Sequence, residues 1–254
     1  MADVCAHEVT EADIRDWLDT WDGRNRKNYL ASVCTMYGFA LKRRLVAFDP
    51  SSDIETPDLE EPLPDIMAPA AVKKLLRAAE TENGGETIPV LAIQFFAGLR
   101  PKEAREIDWR DVNLEEGFIR IVPKVAKMKR QRLVDIPPNL AAWLVPHRKE
   151  AGQFWPKSPN GFYIAMREVK ARAKVHIPPN AGRHAFASYH LAQNAPEDTA
   201  KQLGHTDTEF LFTQYRGLVT TKAANAFWRI TPRLTGKGLD FSGCSSSSKL
   251  ISTS

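Results

Sequence analysis

Arginine, lysine, histidine and tyrosine concentrate in four short segments of this 254-residue chain. The segments are AGLRPKEAREIDW at 97–109, PKVAKMKRQRLVDIP at 123–137, NAGRHAFASYHL at 180–191 and LGHTDTEFLFTQY at 203–215. A guanidinium group binds two phosphate oxygens at once and stays charged at any working pH. A tyrosine hydroxyl attacks phosphorus once its proton is removed or its anion is stabilised. The four segments together therefore indicate transfer of a phosphoryl group to a tyrosine.

The order and spacing of these segments resemble the tyrosine recombinase (phage-type integrase) family. That family's pattern is G-L-R-x-x-E, a hairpin lysine before an R-x-V-x-x-P-like strand, H-x-x-R-H, L-G-H and finally a tyrosine. Four parts in one order are far more specific than any part alone. The resemblance covers about two thirds of the chain. It implies a site-specific DNA recombinase that cuts and rejoins duplex DNA through a 3′-phosphotyrosyl intermediate.

The resemblance assigns roles to the cations that match the pattern. Arg100 and Arg183 would hold the phosphate, with Glu103 as the supporting carboxylate of the first arginine. Lys127, among other cations that lower the pKa of its amine, would protonate the departing 5′ oxygen. Because the phosphate ends on a tyrosine, its bond energy is kept for rejoining, and neither a metal nor another cofactor is expected.

By the same resemblance Tyr215 is the nucleophile, and His205 and Asn180 complete the group that would hold the phosphate. Asn180 stands where the family has histidine, and an amide can donate a hydrogen bond but cannot exchange a proton. The step from His205 to Tyr215 is ten residues, one longer than the commonest family spacing. Gly182 replaces the common leucine, which removes a side chain from the packing beside the site.

Other residues of the third segment could also do chemistry. Tyr189 is a second candidate nucleophile, but its place on the Arg183 helix near Phe186 favours a core position. His184 and His190 are assigned to helix packing or to the surface. The histidine spacings do not give the i, i+4 pair of a zinc hydrolase helix, so no metal site is predicted.

The positive charge is concentrated in one part of the chain. Residues 1–50 hold 7 Lys and Arg against 8 Asp and Glu, residues 51–66 hold 0 against 6, and residues 67–235 hold 26 against 16. Phosphate contacts by Lys and Arg release condensed counterions, so this segregation suggests double-stranded DNA as the partner. The predicted DNA contacts are Lys124, Lys129, Arg130, Arg132, Arg24, Lys27 and Arg43.

The spacing of apolar residues predicts a mainly α-helical fold with a small antiparallel β-sheet (α+β). Thr10 is typical of the N-cap of a first helix, and a longer helix is predicted from Arg24 to Arg44. The predicted organisation is a short helical domain at 1–50 that resembles the family's core-binding DNA clamp, an acidic proline-rich linker at 51–66, a catalytic domain at 67–235 and a disordered serine-rich tail at 236–254.

Within the catalytic domain the same patterns predict seven helices and a hairpin. The helices are predicted at 69–79, 90–97, 140–145, 162–173, 183–191, 196–203 and 221–228. The strands are predicted at 118–122 and 132–136, joined by a basic turn.

No apolar run approaches the roughly 20 residues that span a bilayer, so a cytoplasmic, nucleoid-associated protein with no membrane partner is expected. The family resemblance further implies four protomers on two DNA sites, each a monomer when free of DNA. Two alternatives stay open. Asn180 and the short N-terminal domain favour a DNA-binding protein that has lost its chemistry. A type IB topoisomerase-like enzyme would share the cutting and resealing without depending on paired sites.

Overall fold

The structure is a computed structural model that describes residues 4–59, 63–126, 131–204 and 208–233. The chain forms two compact units, Met1–Pro62 and Leu63–Ser254. The division between them falls inside the acidic, proline-rich segment at 51–66. The predicted tail at 236–254 lies outside the described residues.

The described residues of the first unit form two helices, α1 (Glu11–Asp19) and α2 (Gly23–Lys42). The Thr10 side chain accepts a hydrogen bond from the backbone N–H of Asp13, and the Asp13 carboxylate accepts one from the backbone N–H of Thr10. This reciprocal pair satisfies two N–H groups that the first turn leaves open, so the predicted N-cap is confirmed. A small core forms from Ile14, Leu18, Leu30, Tyr37 and Ile54.

The helix predicted to reach Arg44 ends two residues earlier, at Lys42. Arg44 adopts a left-handed conformation, with φ of 57°. The N–H of Leu45 donates to the carbonyl of Ala40 and so closes the last turn.

The second unit is built mainly from helices, and five of them begin at a proline. Proline suits the first helical position because the N–H it lacks would have no partner there. The helices are α3 (Pro69–Thr81), α4 (Ile88–Phe96), α5 (Pro101–Glu106), α6 (Pro138–Leu144), α7 (Pro159–Ala173), α8 (Ala181–Leu191), α9 (Pro196–Leu203), α10 (Glu209–Tyr215) and α11 (Thr221–Trp228). All seven predicted helices are present.

The sheet has three antiparallel strands in the order β1 (Val112–Asn113), β2 (Phe118–Ile121) and β3 (Arg132–Asp135). In the β2–β3 pair, Ile119 lies opposite Val134, and both side chains are fully buried. The two predicted strands are confirmed, and β1 is an addition of two residues. The tip of the hairpin, at 127–130, lies outside the described residues.

Helix α4 is apolar at every position except Gln94 and packs against α6 and α8. Gly182 lets α8 approach it closely, because a Cβ at this position would lie 2.7 Å from the Cβ and 2.9 Å from the carbonyl carbon of Gln94. The space that the family's leucine side chain would fill is therefore occupied by the backbone of α4, and Gly182 leaves no gap.

Two short helices, α5 and α10, are not predicted from the sequence. They matter most for the site, because Arg100 precedes α5 directly and Tyr215 ends α10. In the part of the chain that the structure describes, no helix is both long and apolar enough to cross a membrane.

Candidate active site

Glu103 lies at the centre of a cluster of arginines at the start of α5. Its side chain is 1% exposed. Its carboxylate accepts hydrogen bonds from Arg132 Nη2 at 2.8 Å, from Arg100 Nη1 at 3.3 Å and from the backbone N–H of Arg100 at 3.1 Å. A buried carboxylate is stable only when it is paired and hydrogen-bonded. Glu103 therefore fixes two guanidinium groups from two separate elements, α5 and β3.

Arg183 joins this cluster from the first turn of α8. Its Nη1 donates to the carbonyl oxygen of Gly98 and its Nη2 to that of Leu203, both at 2.8 Å. Gly98 has φ of +67°, and a Cβ there would lie 2.5 Å from the Phe186 ring, so only glycine fits this turn. The arginine thus connects the turn before α5 to the end of α9.

The charges of Arg100, Arg132 and Glu103 shift the pKa of Arg183. Burial lowers the pKa of Arg183 to about 9, and the charges of Arg100 and Arg132 act in the same direction while Glu103 opposes them. A group with this pKa is still protonated at neutral pH. The cluster therefore combines three positive guanidinium groups with one carboxylate, an excess of positive charge that suits a phosphate.

A cleft of about 670 Å³ opens beside Arg100, which is itself 22% exposed. Lys102, Lys124 and Ala126 also line this cleft. Lys102 and Lys124 carry positive charge at its edge, so the approach to the arginine cluster is itself basic.

Tyr215 is 5% exposed and packs against apolar residues of α8 and α9. Its hydroxyl oxygen lies 2.7 Å from Nδ1 of His184. Burial raises the pKa of the Tyr215 phenol, and the charge of Arg183 acts in the opposite direction. The phenol is therefore protonated at neutral pH in this arrangement.

His184 is a functional candidate that the sequence reasoning missed. Its assignment to packing or to the surface was incomplete, because its ring contacts the proposed nucleophile directly. Burial, and to a lesser extent the charge of Arg183, lowers the pKa of His184. The signals in the sequence were its place directly after Arg183 and its match to the last histidine of the H-x-x-R-H pattern.

Tyr189, the rival nucleophile, lies in the core as predicted. It is 2% exposed, and its hydroxyl donates to the carbonyl of Met67 at 3.0 Å. The ring stacks on Phe227, and burial raises the pKa of the phenol to about 12. These features make it a structural residue.

Asn180 is exposed and occupies the N-cap position of α8 in a left-handed conformation, with φ of 55°. Asparagine tolerates this region better than most residues. Its side chain does not cap the helix, so the amide points to no backbone partner within α8.

Lys127 and His205, together with the predicted DNA contacts Lys129 and Arg130, lie outside the described residues. The residues directly before Lys127 and His205 in the sequence are described, and both lie beside the arginine cluster. Ala126 lines the cleft beside Arg100. Gly204 has φ of +65° and lies against Arg132, whose Cδ would be 3.0 Å from an added Cβ.

The remaining predicted DNA contacts differ in exposure. Arg24, Lys27 and Arg43 are exposed on the first unit, and Lys124 is exposed on the second. Arg132 is less exposed than these four: its side chain is 13% exposed and is paired with Glu103. It therefore supports the cluster, and its contact with DNA stays a prediction. Among the described residues, no three His, Cys, Asp or Glu side chains form a group that could hold a metal ion.

The fold is that of known DNA integrases. A lambda integrase dimer bound to a COC' core site superposes with a TM-score of 0.68 at 12% identity, covering 86% of this chain and 84% of that one. The Tn1549 transposon integrase in complex with a circular intermediate DNA gives a TM-score of 0.63 at 16% identity, covering 87% and 85%.

The sequence matches the same class. The model of the phage integrase family matches residues 66–220. Tyrosine recombinase XerD of Pseudomonas aeruginosa is 27% identical over 208 residues, 74% of this chain and 69% of that protein. XerD of Staphylococcus epidermidis is 28% identical over 204 residues, 70% and 67% of the two chains. The protein belongs to the phage integrase family, which is the family of the tyrosine recombinases.

Proposed function

We propose that this protein is a site-specific recombinase that cuts and rejoins duplex DNA through a 3′-phosphotyrosyl intermediate. The observation that carries the proposal is the buried cluster of Arg100, Arg132 and Arg183 around Glu103, with Tyr215 next to it on α10. Membership of the tyrosine recombinase family supports the same reaction.

In the proposed reaction the phosphate enters beside Arg100 and Arg183, whose guanidinium groups stabilise the charge that gathers on its non-bridging oxygens. Asn180 adds a hydrogen bond, as does His205. The Tyr215 oxygen attacks phosphorus, and the bond from phosphorus to the 5′ oxygen breaks. Lys127 supplies the proton that this 5′ oxygen takes up.

The arginines of the cluster take two different parts in this proposal. Arg132 supports the cluster through Glu103, because it is paired with this carboxylate and its side chain is only 13% exposed. Arg183 keeps its bonds to the carbonyls of Gly98 and Leu203 as structural ties, and these bonds hold its positive charge in place for the phosphate. A donor held in place before the substrate arrives costs no reorganisation during the reaction.

The proposed partner is double-stranded DNA, held along the basic edge of the cleft at Lys102 and Lys124 and by Arg24, Lys27 and Arg43 of the first unit. Four protomers on two DNA sites would carry out strand exchange, as in the family that the chain belongs to. The predicted domains at 1–50 and 67–235 would serve as DNA clamp and catalytic domain.

The test uses nicked duplexes that trap the covalent intermediate, drawn from a random or genomic pool because the target site is unknown. Wild-type protein and Tyr215→Phe are incubated with the pool and resolved on denaturing gels. We expect a covalent protein–DNA band with the wild type that disappears in Tyr215→Phe. The matched control is Tyr163→Phe, an exposed tyrosine on α7, which should keep the band.

Two results would contradict the proposal. DNA binding without any covalent band would indicate a protein that binds DNA but does not cut it. Relaxation of supercoiled plasmid that is independent of paired sites would indicate a topoisomerase-like enzyme.

A further inference from the structure

The replacement of histidine by Asn180 leaves one step of the proposed reaction without an obvious residue. The attacking phenol must lose a proton, and an amide cannot take one up at neutral pH. Some other group near Tyr215 must therefore accept this proton, or the reaction must begin from a phenolate, which the raised pKa of Tyr215 disfavours.

His184 is placed to accept it. Its Nδ1 lies 2.7 Å from the Tyr215 hydroxyl oxygen, which is the distance of a strong hydrogen bond. The two rings lie 5.7 Å apart between centroids, and the side chains come from α8 and α10. The contact joins residues 31 positions apart in the sequence, so it results from packing of the two helices.

The surroundings of His184 favour the uncharged imidazole. Burial is the larger cause of its lowered pKa, and the charge of Arg183 on the same helix is the second. From α10 the titratable group that faces it is Tyr215 itself. A neutral imidazole with its hydrogen on Nε2 has a free lone pair on Nδ1, as a proton acceptor requires.

We propose that His184 Nδ1 takes the proton of the Tyr215 hydroxyl as that oxygen attacks phosphorus. This inference rests on the proposed function. The O–P bond to Tyr215 forms, the bond to the 5′ oxygen breaks, and the proton of Tyr215 ends on His184. In the rejoining step a 5′ hydroxyl attacks phosphorus and gives its proton to the amine of Lys127, while the bond from phosphorus to Tyr215 breaks and the imidazolium returns its proton to the tyrosine oxygen. His184, which matches the last histidine of the H-x-x-R-H pattern, is thus a catalytic residue in this proposal.

The first test compares single-turnover cleavage of nicked duplexes by wild type and His184→Asn between pH 5 and 8. Because the active form of His184 is neutral and its pKa is lowered, the wild-type rate should rise with pH below about 6.5 and level off near neutrality. His184→Asn should cleave about 100-fold more slowly and lose this rise, while binding DNA with unchanged affinity.

The matched control is His190→Asn, which changes another histidine of α8 that is hydrogen-bonded to Thr199 instead of Tyr215. It should keep both the rate and the pH profile. If His184→Asn stays within about threefold of wild type with the same profile, His184 is not the proton acceptor.

Two further measurements separate the role in proton transfer from a merely structural one. Added imidazole should raise the cleavage rate of His184→Ala at least tenfold and should not affect the wild type. A duplex with sulfur in place of the bridging 5′ oxygen has a leaving group that needs no proton, so it should restore cleavage by Lys127→Ala but not by His184→Asn. Restoration of His184→Asn by this substrate, or a failure of imidazole, would overturn the assignment.

The failure of this inference is distinguishable from failure of the proposed function. If wild-type protein forms a covalent band that Tyr215→Phe lacks, the function stands whatever His184→Asn does. If the wild type forms no band on any duplex, the proposed function and this inference fall together.

Discussion

At the scale of single residues, Glu103 is a negative charge at the centre of a site that should hold a phosphate. Its carboxylate stabilises the close approach of two cations, because Arg100 and Arg132 would repel each other without a carboxylate between them. One carboxylate against three guanidinium groups still leaves the site positive. The fold and the proposed phosphate binding therefore depend on the same side chain.

Glu103→Gln should destabilise the protein by about 3 kcal/mol, because it leaves buried guanidinium charges without their partner. The measurement is the free energy of unfolding in urea. Glu106→Gln is the matched control on the same helix, since its carboxylate is more exposed and lies 3.9 Å from Lys102. The control should lose less than about 1 kcal/mol. Equal losses for the two variants would contradict the importance assigned to Glu103.

At the scale of elements, the close packing of α8 on α4 decides where Arg183 and His184 lie. Gly182 permits this approach because it has no Cβ to meet the Gln94 backbone. Both site residues follow Gly182 directly along α8. A change in the distance between the two helices would therefore move a proposed phosphate ligand and the proposed proton acceptor together.

Gly182→Ala should destabilise the protein by about 2 kcal/mol, because the new methyl group lies 2.7 Å from the Gln94 Cβ and 2.9 Å from its carbonyl carbon. Thermal unfolding measures this loss, and covalent-complex formation should fall with it. Gly161→Ala on α7 provides the control, since its Cβ would meet nothing closer than 3.5 Å. A stable Gly182→Ala with full activity would mean that the helices can separate without cost.

The sequence allowed prediction of the elements whose periodicity extends over several turns. α3 and α9, for example, begin where the pattern indicates, each at a proline, whereas α7 begins three residues before its predicted start, at Pro159 after the capping Ser158. α5 and α10 are only 6 and 7 residues long, so each spans no more than two turns, although α6, also of 7 residues, was predicted. The two missed α-helices are thus the one that follows Arg100 and the one that ends at Tyr215.

The site was predictable as a set of residue types but not as a set of contacts. The tie from Arg183 to Gly98, the pairing of Arg132 with Glu103 and the contact of His184 with Tyr215 all join residues far apart in sequence. Such contacts arise from packing of helices and strands, which no local pattern reports. The pairing of Arg132 with Glu103 could not be predicted for this reason.

At the scale of the whole molecule, charge is divided sharply along the chain. The acidic stretch at 51–66 carries no Lys or Arg, whereas residues 67–235 hold 26 Lys and Arg against 16 Asp and Glu. Phosphates are repelled by the first and attracted by the second. We therefore expect the second unit to provide most of the affinity for DNA.

Replacing both Lys102 and Lys124 by alanine should weaken DNA binding similarly for all sequences, because phosphate contacts carry no sequence information. The slope of log Kd against log salt concentration should fall by about 2, one for each lost phosphate contact. Fluorescence anisotropy with labelled duplexes at several salt concentrations gives both values.

The control for this pair is Lys74→Ala with Lys170→Ala, which removes two exposed lysines from α3 and α7, away from the cleft beside Arg100. An equal fall in the slope for both pairs would indicate diffuse attraction with no preferred path for the DNA backbone.

The burial of Tyr215 also affects which tyrosine rings of the protein are chemically modified first in solution. A phenol that is 5% exposed and already hydrogen-bonded is sheltered from nitrating and halogenating agents, which would attack Tyr163, at 61% exposure, much sooner. Chemical damage should therefore accumulate on exposed rings such as Tyr163 before it reaches the proposed nucleophile. Because unfolding exposes the Tyr215 ring, this ring should react faster under conditions that unfold the protein.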